Sequence, residues 1–196
     1  FALLIAFFLT GMPISIALGL TVLVFLFVLT KVPTEAVALK LFTGLERFEI
    51  MAIPFFILAG SFLTHGGVAR RMIRFATSMV GHWYGGLGLA GVVACALFAA
   101  VSGSSPATVV AIGSILMPAM VRAGFPNRFG AGVISTSGAL GILIPPSIVM
   151  VMYAVATNAS VGALFMAGVI PGIVLATMLG LTTWYRARKF LTRHRV

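Results

Sequence analysis

The sequence predicts an all-α integral membrane protein, on three observations. Of 196 residues, 61% are hydrophobic and only 8% charged, against about 25% charged in an ordinary soluble domain. Apolar residues run on over lengths that cross a bilayer. The interruptions are short and carry Gly, Pro, Ser and basic residues, with no Asp anywhere and Glu only at Glu35, Glu46 and Glu49. A soluble core could not cover this much apolar surface, whose mean hydropathy is +1.18, so lipid is the expected solvent. The 22 Gly and 9 Pro are a level more often met in membrane helices than in soluble ones.

The net charge of +10 does not point to nucleic acid, because the Lys and Arg sit in short clusters between apolar runs and not along one polar face. In a membrane protein such clusters mark cytoplasmic ends. Cys95 lies in an apolar run and reads as a small packing residue, with no disulfide framework. His65, His82 and His194 have no metal-ligand spacing. No G-x-S-x-G elbow occurs, and no nucleophile–base pair is visible, so no catalytic residues are expected.

Residues 1–29 form the first apolar run, interrupted only by Gly11-Met12-Pro13; about 20 helical residues suffice to cross a core of about 30 Å. The chain opens on apolar residues without an initiator Met and is expected to be trimmed. The run is too long for a signal-peptide core. Residues 31–49 are mixed and expected at the interface. Residues 50–63, with Pro54, make a second span that His65-Gly66-Gly67 closes. The first 66 residues thus read as ordinary transmembrane helices of scaffold type. In 67–84, Val68, Met72, Phe75, Ala76 and Met79 recur at helical spacing, Arg70, Arg71 and Arg74 occupy other positions, and Trp83 and Tyr84 follow. This predicts an amphipathic helix lying along the membrane surface.

Residues 85–121 are apolar, too long for one straight crossing, and carry Ser102-Gly103-Ser104-Ser105-Pro106 in the middle, a strong helix breaker. Arg70, Arg71 and Arg74 precede this segment and Arg122 and Arg128 follow it. A re-entrant hairpin keeps them all on one side, as the positive-inside rule prefers. Residues 127–158 are broken at 135–141 and again at Ile144-Pro145-Pro146-Ser147. Each proline lacks an N–H, and Ile144 is pushed out of the α region, which predicts two half-helices around an unwound stretch. Residues 160–196 are a last span with a basic cytoplasmic end.

Non-helical backbone at membrane depth survives only where protein or a wet cavity covers it. Two such breaks in consecutive segments point to a secondary-transporter binding site. Unwound carbonyls and the hydroxyls of Ser102, Ser104, Ser105, Thr108, Ser135, Thr136 and Ser137 are hard oxygen ligands that suit Na⁺. Half-helix N-termini suit a substrate carboxylate. For Gly88, Gly91, Gly113 and Ser114 the expected role is close helix packing.

Three strings stand in order over nearly the whole chain: Ala52-Ile53-Pro54-Phe55-Phe56-Ile57-Leu58-Ala59-Gly60, the Ser102–Thr108 turn, and Gly141-Ile142-Leu143-Ile144-Pro145-Pro146-Ser147. Together they resemble the large, DctM-like membrane subunit of tripartite ATP-independent periplasmic (TRAP) transporters. The resemblance implies an ion-transporter-superfamily elevator fold of two inverted repeats, of which this chain would hold one: the re-entrant hairpin, the broken helix and a following span. It implies a multi-pass protein of the bacterial inner membrane that takes up organic acids (C4-dicarboxylates, sialic acid or other sugar acids) by Na⁺ symport. Its partners would be a DctP-like periplasmic binding protein and a small DctQ-like membrane subunit, with Na⁺ as coupling ion and no cofactor. It assigns the cation to Ser102, Gly103, Ser104, Ser105, Thr136, Gly138, Gly141 and Pro145, and the substrate to Ser105, Thr108, Ser135 and Ser137. An ion channel with a re-entrant pore loop is the alternative.

Overall fold

A computed structural model describes residues 2–30 and 33–193, which are helical nearly throughout, with no strand among them. Lys31, His194 and Arg195 lie outside the described residues. Two compact units result, Phe1–Arg47 and Phe48–Val196. Three helices are long and apolar enough to cross a membrane: Phe48–His65, Ser105–Arg122 and Val161–Lys189. A fourth span results if the pair Asn127–Leu143 and Ile148–Thr157, bent by 41°, is one crossing.

In the first unit the opening apolar run is not a single span, contrary to expectation. Helix α1 (Ala2–Leu9) stops where Gly11 takes a φ of 76°, and α2 (Ile14–Leu29) starts after Pro13. Proline cannot donate to the preceding turn and its ring blocks the carbonyl behind it. The 16 residues of α2 reach about 24 Å, short of a hydrocarbon core of about 30 Å. Helix α3 (Thr34–Leu45) follows Pro33.

The second unit begins with a 3₁₀ turn, Phe48–Met51, that runs into α4 (Ala52–His65). Pro54 sits in the first turn of α4, where a missing N–H is harmless. Helix α5 (Val68–Val80) packs its Ala69, Ile73 and Ala76 into the unit, while Phe75 and Met79 are exposed. The apolar periodicity of Phe75 and Met79 therefore marks an outward edge, not the buried face, with Arg70, Arg71 and Arg74 exposed beyond it. Three distinct faces suit a helix that docks on protein by one side and meets lipid and headgroups by the others.

Helix α6 (Gly86–Ser102) is the centre of the unit, with Ala90, Ala94, Cys95, Phe98 and Ala99 buried. Between helices in lipid the hydrophobic effect drives little, and small residues that let backbones approach supply the packing. A β-carbon on Gly91 would meet Leu116 Cδ2 at 2.6 Å and Met120 Cε at 3.6 Å. These residues lie on α7 (Ser105–Arg122), so α7 doubles back along α6 and brings Arg122 to the end where α6 starts. Gly88 faces Phe129 of α8 (Asn127–Gly138) and Thr183 of α11 (Val161–Arg193), and Gly85 abuts Ala187. Arg122, Arg128 and Arg186 thus share one end of the bundle, which Trp184, stacked under Arg188 at 5.5 Å, also marks. Helix α9 (Leu140–Leu143) nearly continues α8, and α10 (Ile148–Thr157) resumes after the Pro145–Pro146 pair, which is joined by a cis peptide bond.

Outward residues such as Phe55, Phe62, Ile170 and Leu181 are large, apolar and exposed. In water such a surface would aggregate; in a bilayer it is solvated.

Candidate functional site where two helix breaks meet

The two interruptions, far apart in sequence, touch. Helix α6 ends at Gly103, whose φ of 62° lies in the left-handed region. A side chain there would be strained, and a β-carbon would sit 2.8 Å from Pro146 O. The Gly103 carbonyl accepts a hydrogen bond from Ile148 N at 3.0 Å, so the serine turn completes the first turn of α10. On the other side, a β-carbon on Gly141 would lie 2.9 Å from Ser105 N and 3.0 Å from the Ser104 carbonyl carbon. Gly138 faces Val109 and Ser105 O, and on α4 Gly60 faces Ser102, where an added β-carbon would be 3.3 Å from Ser102 Cβ.

Both restarting helices have serine caps of the same geometry. Ser104 (φ −128°, ψ 118°) accepts from Ala107 N, and Ser147 (φ −130°, ψ 126°) accepts from Met150 N, each at 3.4 Å. Such caps satisfy amide donors that the helix start leaves open. Ser102, Thr108 and Ser147 are fully buried. Thr108 Oγ1 donates to Ser104 O at 2.8 Å and lies 3.3 Å from Ser102 Oγ. Ser137 is also buried, one residue before Gly138, and its hydroxyl has no hydrogen-bond partner.

The cluster therefore combines the carbonyl-bearing C-terminal ends of α6 and α9 with the N-terminal ends of α7 and α10. Carbonyls and hydroxyls are hard ligands for a small cation, and helix N-termini attract an anionic group. A buried Ser137 hydroxyl without a hydrogen-bond partner is the kind of hard oxygen ligand that suits an alkali cation. An apolar groove of about 590 Å³ passes the outer side of Ile144 and Pro145, but its almost wholly apolar lining suits neither charge.

Of the residues expected at the site, Ser102, Gly103, Ser104, Ser105, Thr108, Gly138, Gly141 and Pro145 lie in or against this cluster, and Ser137 adjoins it. Ser135 and Thr136 do not. They stand on the exposed side of α8, where Ser135 Oγ donates to Gly132 O at 3.2 Å and Thr136 Oγ1 to the same carbonyl at 2.7 Å. The helix continues through Gly138, and the unwound stretch shrinks to residues 144–147. Sequence reasoning omitted Ser147, although a serine directly before an apolar helical run is a cap signal. It also omitted Gly60, for which no local signal exists.

Membrane-length helices interrupted at one shared, buried, oxygen-rich point define a polytopic membrane protein of transporter type. Residues 1–195 match the family described as "Tripartite ATP-independent periplasmic transporter, DctM component". The chain belongs to this family. It is 75% identical to the "C4-dicarboxylate TRAP transporter large permease protein DctM" of Rhodobacter capsulatus, over 97% of the chain and 46% of that protein. It is 52% identical to the protein of the same description from Vibrio cholerae, over 96% of the chain and 42% of the relative. It is 44% identical to the "Isethionate TRAP transporter permease protein DctMQ" of Oleidesulfovibrio alaskensis, over 93% of the chain and 29% of the relative. The chain spans less than half the length of these curated relatives, which are named as permeases and not as enzymes.

Proposed function

We propose that this chain forms one repeat of the large permease of a Na⁺-coupled TRAP transporter for C4-dicarboxylates in the bacterial inner membrane. The observation that carries this reading is the contact between the serine turn and the Pro145–Pro146 break, where Ile148 N meets Gly103 O at 3.0 Å. In this reading α6 and α7 are a re-entrant hairpin and α8–α10 a broken span. The interfacial arm is α5 (67–84 in sequence), residues 1–66 are scaffold, and 160–196 are the closing span with its basic end in the cytoplasm. Return of Arg122 to the end where α6 begins supports it, because basic residues then collect on one side.

Na⁺, a cargo ion here, would be held by carbonyls and hydroxyls of Ser102, Gly103, Ser104, Ser105 and Ser137, against the backbone of Gly138, Gly141 and Pro145. The substrate carboxylate would lie at the capped N-termini of α7 and α10, close to Ser105. A dicarboxylate is the class favoured because the relatives at 75% and 52% identity carry it in their names. A DctP-like binding protein would deliver it and a DctQ-like subunit would brace the scaffold; the fused name DctMQ of one relative fits the latter. The hairpin and broken helix would move together, as an elevator; their mutual contacts support this reading. The channel alternative has no observation in its favour.

Ser104→Ala and Ser105→Ala in the full-length permease are expected to raise the Na⁺ concentration for half-maximal uptake about 10-fold, the loss of one hydrogen-bonding partner to a charge. Uptake of radiolabelled succinate into proteoliposomes measures it. Unchanged half-saturation in both variants would move the cation elsewhere.

A further inference from the structure

A second polar recess lies away from the helix breaks, at the basic end of the bundle. Helices α8 and α11 run antiparallel there and enclose a groove of about 340 Å³. The exposed Arg128 and Arg186 line it at one end, Thr183 lies in its wall, and Phe129, Val133, Thr136 and Leu179 continue it. Neither guanidinium makes an ion pair or hydrogen bond among the described residues. Residues 50–196 contain no Asp or Glu at all, so nothing in this unit beyond Glu49 can neutralise them. Thr183 is 6% exposed. Its methyl is directed at Gly88, and its hydroxyl has no hydrogen-bond partner among the described residues. At the start of α8 the Phe129 and Gly130 amides bond to Pro126 O at 2.9 and 3.3 Å, which leaves those of Asn127 and Arg128 as open donors.

We infer that this groove binds an anionic phospholipid. The phosphate would sit between Arg128 and Arg186 with Thr183 as hydroxyl donor, and an acyl chain would lie along Phe129, Val133 and Leu179. Basic pockets between transmembrane helices select anionic headgroups in this way. The occupant is a lipid and not a small dianion because the polar end leads into an apolar wall. Thr136 and Thr182 also line it, but their hydroxyls donate to Gly132 O and Met178 O of their own helices, so a second carboxylate would find no free donor there, whereas a hydrocarbon chain is at home. The groove also opens sideways, since Thr182 and Arg186 on its rim are exposed. This inference is independent of the Na⁺ reading, and its readout is lipid retention, not transport.

The test is native mass spectrometry of the full-length permease released from vesicles of equal phosphatidylglycerol and phosphatidylcholine. The wild type is expected to retain phosphatidylglycerol selectively. Each arginine near an anionic headgroup contributes about 5-fold, so Arg128→Gln with Arg186→Gln should lower the retained ratio about 25-fold. Thr183→Val keeps shape and charge, guards against a misfolded double variant, and should lower it about 3-fold. Equal ratios in wild type and variants would overturn the inference. So would displacement of the lipid by millimolar succinate or inorganic phosphate, which would mark a small-anion site, or retention of no lipid at all, which would mean that protein covers the groove.

Discussion

Gly141→Ala is expected to abolish dicarboxylate uptake, by about 100-fold or more, while lowering thermal stability. In an ordinary helix the same change stabilises by about 1 kcal/mol. Here the new β-carbon would fall 2.9 Å from Ser105 N, 3.0 Å from Ser104 C and 3.1 Å from Ser105 Cα. All three are backbone atoms at the start of α7, so no side chain can swing away. The hairpin tip must retreat, and overpacking of this kind costs about 1–3 kcal/mol. Retreat also loosens the Gly103–Ile148 link on the opposite side of the tip. Displacement of reacting or binding groups by about 1 Å is enough to cost about 100-fold in rate. Thermal unfolding and initial uptake rates in proteoliposomes check the two parts separately. Gly132→Ala, with nothing within 4 Å of its β-carbon, is the control and should be neutral or stabilising. A Gly141→Ala protein that is more stable and transports normally would show that the two breaks are not in tight contact.

Ser137→Ala separates a ligand from a packing residue by sign. An unsatisfied buried hydroxyl costs about 1–3 kcal/mol, and Ser137 Oγ is such a group. Its removal is therefore expected to stabilise the Na⁺-free protein by about 1 kcal/mol. If the hydroxyl holds Na⁺, the same change weakens the stabilisation that Na⁺ confers, which scales with the logarithm of ion concentration over its dissociation constant. The expected result is a higher melting temperature without Na⁺ and a much smaller rise on adding it. A rise equal to that of wild type would remove Ser137 from the cation site.

The breaks were legible because their chemistry is local. Gly103 relieves a positive φ, Pro106 fits the first turn of α7, and Pro145 with Pro146 removes two amide donors from the path of a helix. What remained hidden depends on partners distant in sequence. Thr136 and Ser135 look like helix-weakening residues, yet their hydroxyls bond back to the Gly132 carbonyl and the helix persists. The side of α8 that faces inward, on which Gly138 meets Val109 and Ser105 O, depends on residues far away in sequence. Ser147 reads as a cap only once α10 is known to start at Ile148. In α5 two apolar edges share one helix. Periodicity grouped the buried Ala76 with the exposed Phe75 and Met79 and passed over Ala69 and Ile73, because lipid and protein are both apolar surroundings. The first run was misjudged by length: its apolar count outweighed Gly11 and Pro13, which nevertheless divide it.

We propose that the two meeting breaks form a Na⁺-coupled dicarboxylate site. The most direct measurement is the initial rate of succinate uptake into proteoliposomes. These hold the full-length permease with its small subunit, are supplied with the cognate binding protein, and are read as Na⁺ is varied against choline. A saturable dependence on Na⁺, with no uptake in choline alone, is the predicted result; equal rates in Na⁺ and choline would contradict it.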